Sequence, residues 1–105
     1  MMSNMTEIFK ALSDPTRQRI IYLLLHTQSL HVNEFCHVLI EPQSKVSRHL
    51  TILRNAGWVV YKRRDKRIYY RIDPNIDPEF LTALKNLFSK SIEFETDLKN
   101  LHKQH

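Results

Sequence analysis

Glycine occurs once in these 105 residues, at Gly57, and that scarcity removes whole classes of chemistry. Phosphate-cradling loops need several glycines at fixed spacing, so the sequence holds neither a dinucleotide fingerprint nor a P-loop. Cysteine also occurs once, at Cys36, which excludes an intrachain disulfide and points to a reducing compartment. The longest apolar run is the six residues from Ile20 to Leu25, far short of the roughly 18 that a membrane helix requires. The first ten residues carry no basic flank followed by an apolar stretch, so no export signal is read there. A cytoplasmic protein with no membrane partner is expected. The histidines lack a Ser or Cys at nucleophile spacing, so an enzyme is not expected.

Acidic residues are nearly missing from one stretch. Between Ser44 and Arg71 nine Lys and Arg stand against the single acid Asp65, a local charge of +8 within a chain whose total is +5. A basic stripe on a mildly acidic body is the electrostatic footprint of a polyanion binder. The competing reading of such a run is a solvated face, and charge alone does not choose between them.

The length supports one domain, residues 1–105, with a real core. Thr6 to Leu12 reads as a short helix. Asp14-Pro15 is a helix start, with Asp14 placed to cap free amides and Pro15 at the first helical position. The helix that follows, to about His26, is too apolar for the surface and should be central. Ser29 is positioned to cap a third helix over Leu30 to Leu39, with Val32, Phe35, Cys36 and Leu39 at i, i+3, i+4, i+7. Pro42 breaks the chain, a fourth helix runs to Ala56, and Gly57 suits its left-handed end. Trp58 to Arg63 and Arg67 to Ile72 read as two strands joined at Asp65-Lys66. Asp77-Pro78 opens a last helix running to about Leu101.

Two short helices followed by a basic hairpin make a winged helix-turn-helix, mainly α with a β-hairpin wing (α+β). The helix-turn-helix covers about 30–56, the wing about 58–72 and a dimerisation helix about 78–101. In the fourth helix Val46, Leu50 and Leu53 face the core. Ser44, Ser47, Arg48 and Thr51 line the opposite side, with Gln43 at its start, and these side chains suit base edges and phosphates. The helix face and the charge map together favour double-stranded DNA.

The motifs Ala11-Leu-Ser-Asp-Pro-Thr-Arg17, Gln43-Ser-Lys-Val-Ser-Arg-His-Leu50, Leu53-Arg-Asn-Ala-Gly57 and Tyr69-Tyr70-Arg71 resemble the ArsR/SmtB family over about Met5 to Leu101. Members are dimeric winged-helix repressors of bacteria, many of which release DNA on binding a metal ion. The resemblance implies that the fourth helix enters the major groove through Gln43, Ser44, Ser47, Arg48 and His49, with Lys45 and Thr51 beside them. It implies a wing reaching the flanking groove, where Arg64, Lys66, Arg67 and Tyr69 are the candidates. It also implies a homodimer joined by the first and last helices, through Ile8, Phe9, Leu87, Ser91, Phe94, Leu98 and Leu101. The apolar stripe of the last helix supports dimerisation independently, because so small a core cannot cover it all; its second half should meet a symmetry mate. A roughly palindromic operator follows.

The sequence departs from the family at its metal sites. Arsenic, cadmium and lead sensors carry Cys-Val-Cys on the third helix, and the matching positions here are His31-Val32-Asn33. Soft ions need thiolates, so this site is rejected. Zinc sensors place two ligand pairs on the last helix. His102 and His105 resemble the second pair, while the first falls at Ser89 and Ser91. No metal or other cofactor is expected, since zinc wants four ligands or three and a water. The alternatives are a zinc response through His102 and His105, or a redox response through Cys36, whose phase on the third helix is the buried one. The family usually has glycine at the wing turn, and Lys66 stands there, so a different turn type or mild strain is expected.

Overall fold

The computed structural model describes residues 5–104. It runs α1 (Met5–Ala11), α2 (Pro15–Leu25), β1 (Leu30–His31), α3 (Val32–Leu39), α4 (Gln43–Asn55), β2 (Val59–Arg64), β3 (Arg67–Ile72), α5 (Pro78–Phe88) and α6 (Ile92–Gln104). Among the described residues no helix is long and apolar enough to cross a membrane.

Helix α2 starts where Asp14 accepts from the Arg17 amide and Pro15 sets the first turn. Its Ile20, Ile21, Leu23 and Leu24 are buried, so it is the central helix that its composition demands. Val46, Leu50 and Leu53 of α4 pack into the same core, as do Phe35 and Val38 of α3. Gly57, at φ 93°, turns the chain out of α4 into the wing. Trp58 is wholly buried, and its indole Nε1 donates to Ile8 O at 2.8 Å, tying α1 to the root of the hairpin.

Two expected elements are corrected. The third helix does not begin at Leu30 under a Ser29 cap. Leu30 and His31 instead form a third strand pairing antiparallel with Tyr70 and Tyr69, giving the sheet order β1-β3-β2. The open edge of β3 has backbone groups to satisfy, and pairing them outweighs one more helical turn. Glu34 accepts from the His31 amide at 3.0 Å, so α3 still begins with a satisfied amide.

The long last helix is likewise two helices. Ser89 donates its hydroxyl to Asn86 O at 2.7 Å, and Ser91 Oγ accepts from the Phe94 amide at 3.5 Å. Such local bonds compete with helix continuation. The break lets α6 lie on α2, where Phe94 stacks on Tyr22 at 5.3 Å and Arg19 grips Asp97 with Nε–Oδ2 2.7 Å and Nη2–Oδ1 2.8 Å. Phe94 and Leu101 of α6 and Ile8 of α1, expected at a two-fold interface, are buried within the chain. Ser91 and Leu98 are half-buried, while Phe9 and Leu87 remain exposed, at 54% and 63%.

The turn between α3 and α4 holds Ile40 at φ 56°, with 83% of its surface exposed. A left-handed conformation costs an L-residue about 1–2 kcal/mol, and glycine escapes that cost at some expense in chain entropy. Ile40→Gly is expected to stabilise the fold by about 1 kcal/mol, a rise of about 4–8 °C in thermal midpoint. A lower midpoint by calorimetry would mean that the Ile40 side chain supports the turn after all.

Candidate nucleic-acid interface

On α4 the polar residues recur at the spacing that brings side chains to one helix face. Gln43, Ser44, Arg48 and Thr51 are exposed and Ser47 is half-buried. The Thr51 hydroxyl is oriented by donating to Ser47 O at 3.0 Å. Lys45 is half-buried and pairs with Glu41 at 3.0 Å, so part of its charge is already committed. This face lies beside the hairpin, because the Arg54 guanidinium of α4 sits 5.1 Å over the Tyr61 ring of β2.

His49 differs from its neighbours. It is 5% exposed and turned inward toward the Asp14–Arg17 start of α2. Arg17 Nη1 lies 3.2 Å from His49 Nδ1. Guanidinium nitrogens only donate, so Nδ1 must accept and the imidazole is neutral with its proton on Nε2. Burial lowers the His49 pKa; the Asp14 carboxylate, 3.9 Å away, opposes this, and Arg17, Arg48 and Lys45 push it further down. For Asp14 burial acts to raise the pKa, but the Arg17 and Thr16 amides and the Arg17 charge work against it and the carboxyl is held low. The third helical position of the DPTR segment thus locks to α4, and His49 serves as a joint rather than an exposed group.

That joint carries a pH signature. The unfolded imidazole titrates near 6.5, and the folded value is lower. The resulting stability is complete above about pH 6.5 and is lost as pH falls through the folded value. His26 is also shifted down, by burial first and then by Lys85 and His102, so His49 accounts for part of the acid sensitivity. His49→Gln is expected to shrink the difference in urea stability between pH 7 and pH 5, and an unchanged difference would refute the assignment.

The wing pairs Val59 to Arg64 with Ile72 to Arg67, residue for residue. The left-handed residue at its tip is Asp65, at φ 58°, and not Lys66. Aspartate tolerates a positive φ better than most residues. The Lys66 position therefore has no need of glycine. Lys66, Arg64 and Arg67 are exposed; the Arg64 guanidinium lies 5.0 Å over Tyr69, which is half-buried and has its edge against the His31 ring. Among the described residues, none of Lys62, Arg63, Arg64, Lys66, Arg67 and Arg71 forms an ion pair with a carboxylate. Unpaired cations crowded on one hairpin attract polyanions at long range.

The family's metal positions do not fit an ion here. His31 is drawn to Glu34, with Nε2–Oε1 3.4 Å, and Asn33 is a poor ligand for a soft metal. Among the described residues no three His, Cys, Asp or Glu side chains gather closely enough to hold one. His102 is exposed, and His105 lies outside the described residues. Cys36 is half-buried, and burial raises its thiol pKa, which reduces the reactive thiolate.

Sequence reading passed over Lys62, Arg54 and the Asp14–Arg17–His49 joint. Strand alternation would have put Lys62 on the same face as Arg64, and the 47, 51, 54 spacing would have extended the α4 face to Arg54. No local pattern announces the joint, since 32 residues separate Arg17 from His49.

A model of the arsR family of bacterial regulatory proteins matches residues 14–61, from the α2 cap into β2. The arsenic resistance transcriptional regulator ArsR1 of Pseudomonas putida is 39% identical over 77 residues, 73% of this chain, and the chain spans only 59% of that protein's length. The transcriptional repressor SdpR of Bacillus subtilis is 31% identical over 86 residues, covering 82% of this chain and 94% of SdpR. Among solved structures, the homodimeric winged helix-turn-helix DNA-binding domain from Mycobacterium bovis superposes with a TM-score of 0.65 at 26% identity, covering 80% of this chain and 73% of that one.

Proposed function

Because the chain belongs to the arsR family of bacterial regulatory proteins, we propose that it is a transcriptional repressor, binding a near-palindromic double-stranded DNA operator as a homodimer in the cytoplasm. The observation that carries this reading is the exposed Gln43–Ser44–Ser47–Arg48–Thr51 face of α4 beside a hairpin of unpaired cations. In that reading α4 enters the major groove, with Arg48 and Gln43 reading bases and the serines and Thr51 holding phosphates or bases. Arg64, Lys66 and Arg67 anchor the wing on the backbone, with Tyr69 stiffening Arg64. His49 positions the helix from behind.

A second copy is supported by the exposed Phe9 and Leu87 and by the homodimeric relative. A two-fold pair would set its recognition helices roughly 34–36 Å apart. In this reading the response does not use the family's thiolate site, whose positions are His31 and Asn33, and among the described residues no three metal-ligating side chains gather.

The test is fluorescence anisotropy of duplex DNA from upstream of the protein's own coding region, with reduced, chelator-treated protein. Tight, sequence-preferring binding that falls steeply with salt is expected. Lys66→Ala should weaken all sequences about equally and lower the salt slope by about one, and a loss confined to certain bases would contradict its phosphate role. Added zinc should change nothing. Release by zinc would overturn the metal-independent reading and direct attention to His102, and release by mild oxidation would direct it to Cys36.

A further inference from the structure

The two faces of the wing sheet are chemically different. Pairing places Val59, Tyr61, Arg63, Ile68, Tyr70 and Ile72 on one face, and that face meets α4 through Arg54 and Tyr61. The other face carries Val60, Lys62, Arg64, Arg67, Tyr69 and Arg71. It is not flat. The 27–29 loop after α2 and the 73–75 loop after β3 border an open cleft of about 820 Å³ at the root of the hairpin, which Tyr61 and Ile72 also line, within the ordinary range for small-molecule sites.

Three cations, Lys62, Arg64 and Arg71, line this cleft against a single carboxylate, Asp73. One oxygen of Asp73, Oδ1, accepts from the Asn75 amide at 2.9 Å. The cations have no ion-pair partner among the described residues. The Arg64–Tyr69 stack presents a flat, cationic surface at one side, of the kind on which nucleobases lie. Gln28 and Asn75, both exposed, offer amides at the rim. We infer that this outer cleft of the wing binds a nucleoside polyphosphate, with Lys62 and Arg71 on the phosphates and the Arg64–Tyr69 stack against the base.

Arg64 also belongs to the proposed DNA contacts. A base stacked on its guanidinium would cover it, so ligand and operator should each lower the affinity for the other by the same factor. That coupling rests on the repressor reading, whereas the binding site itself does not.

The experiment titrates full-length protein, without DNA or metal, into methylanthraniloyl-ATP and follows fluorescence. One saturable site per chain is expected, displaced by ATP, less well by pyrophosphate, and not by adenosine. Lys62→Ala and Arg71→Ala remove exposed charges from the cleft and should each weaken binding about tenfold, the loss of one charge-assisted hydrogen bond. Arg63→Ala removes the same charge one residue away on the opposite face and should stay within about twofold. Equal circular dichroism and thermal midpoints establish that the variants fold. The site is refuted by absent saturation at millimolar nucleotide, or by Arg63→Ala weakening binding as much as Lys62→Ala, which marks diffuse electrostatic attraction. Pyrophosphate displacing as strongly as ATP overturns the base contact. With saturating ATP, the anisotropy of labelled operator should fall; nucleotide binding that leaves it unchanged overturns the coupling and spares the site. A protein that binds nucleotide but no DNA overturns the repressor reading alone.

Discussion

Asp97→Ala is expected to cost about 3 kcal/mol, because it removes two charge-assisted hydrogen bonds between a buried carboxylate and a half-buried guanidinium. Asp97 is 2% exposed and meets Arg19 in a fork of two short bonds. Truncation removes both of these bonds between α2 and α6. For a domain of about this size the thermal midpoint should fall by at least 10 °C, on the order of 4–8 °C per kcal/mol. Hydrogen exchange should report the loss first in α6, which is held by this fork and by Phe94 and Leu101. A double replacement, Arg19→Met with Asp97→Leu, should recover much of the stability, since an apolar pair avoids the desolvation that the ions incur. A midpoint shift below about 2 °C for Asp97→Ala would mean that apolar contacts alone dock α6.

Arg48→Ala should abolish preference for the operator while leaving general DNA attraction largely in place. Arg48 is exposed at the centre of the α4 face and free to grip a guanine edge with both guanidinium nitrogens. Such a pair contributes about 1–3 kcal/mol of discrimination, so operator affinity should drop about 10- to 100-fold while affinity for unrelated duplex changes little. The measurement is anisotropy with operator and scrambled duplexes at matched salt. Retained preference would remove α4 from the role of reader. The fold is not at stake, because Val46, Leu50 and Leu53 hold the helix from its other side. Arg48→Lys keeps the charge and loses the fork, so it should not restore preference.

Strongly local signals were readable directly. The Asp14-Pro15 start, the α4 alternation of Val46, Leu50 and Leu53 against Ser44, Arg48 and Thr51, and the glycine turn at Gly57 each depend on residues within a few positions of one another. The basic hairpin was equally legible, because strand period and charge sign are properties of adjacent residues. The ends of the elements were less so. Strand β1 exists because β3 offers an edge, and two residues, Leu30 and His31, show no strand pattern of their own. The division of the last helix at Ser89 to Ser91 could have been suspected from two serines, but what makes the break worthwhile is the Arg19–Asp97 fork, 78 residues apart in sequence.

His49 states the same division at the interface. Helical spacing alone puts it next to Arg48 and within reach of a groove, and only the tertiary structure turns it inward onto Arg17. Sequence by itself determined the winged helix-turn-helix, its family resemblance and the charge on its wing, because these follow from near-neighbour periodicity and composition. Tertiary structure decided which of those charged and aromatic side chains remain free, which histidine becomes a joint, and where the last helix folds back. Those outcomes depend on burial and pairing between segments distant in the chain, which no local pattern encodes.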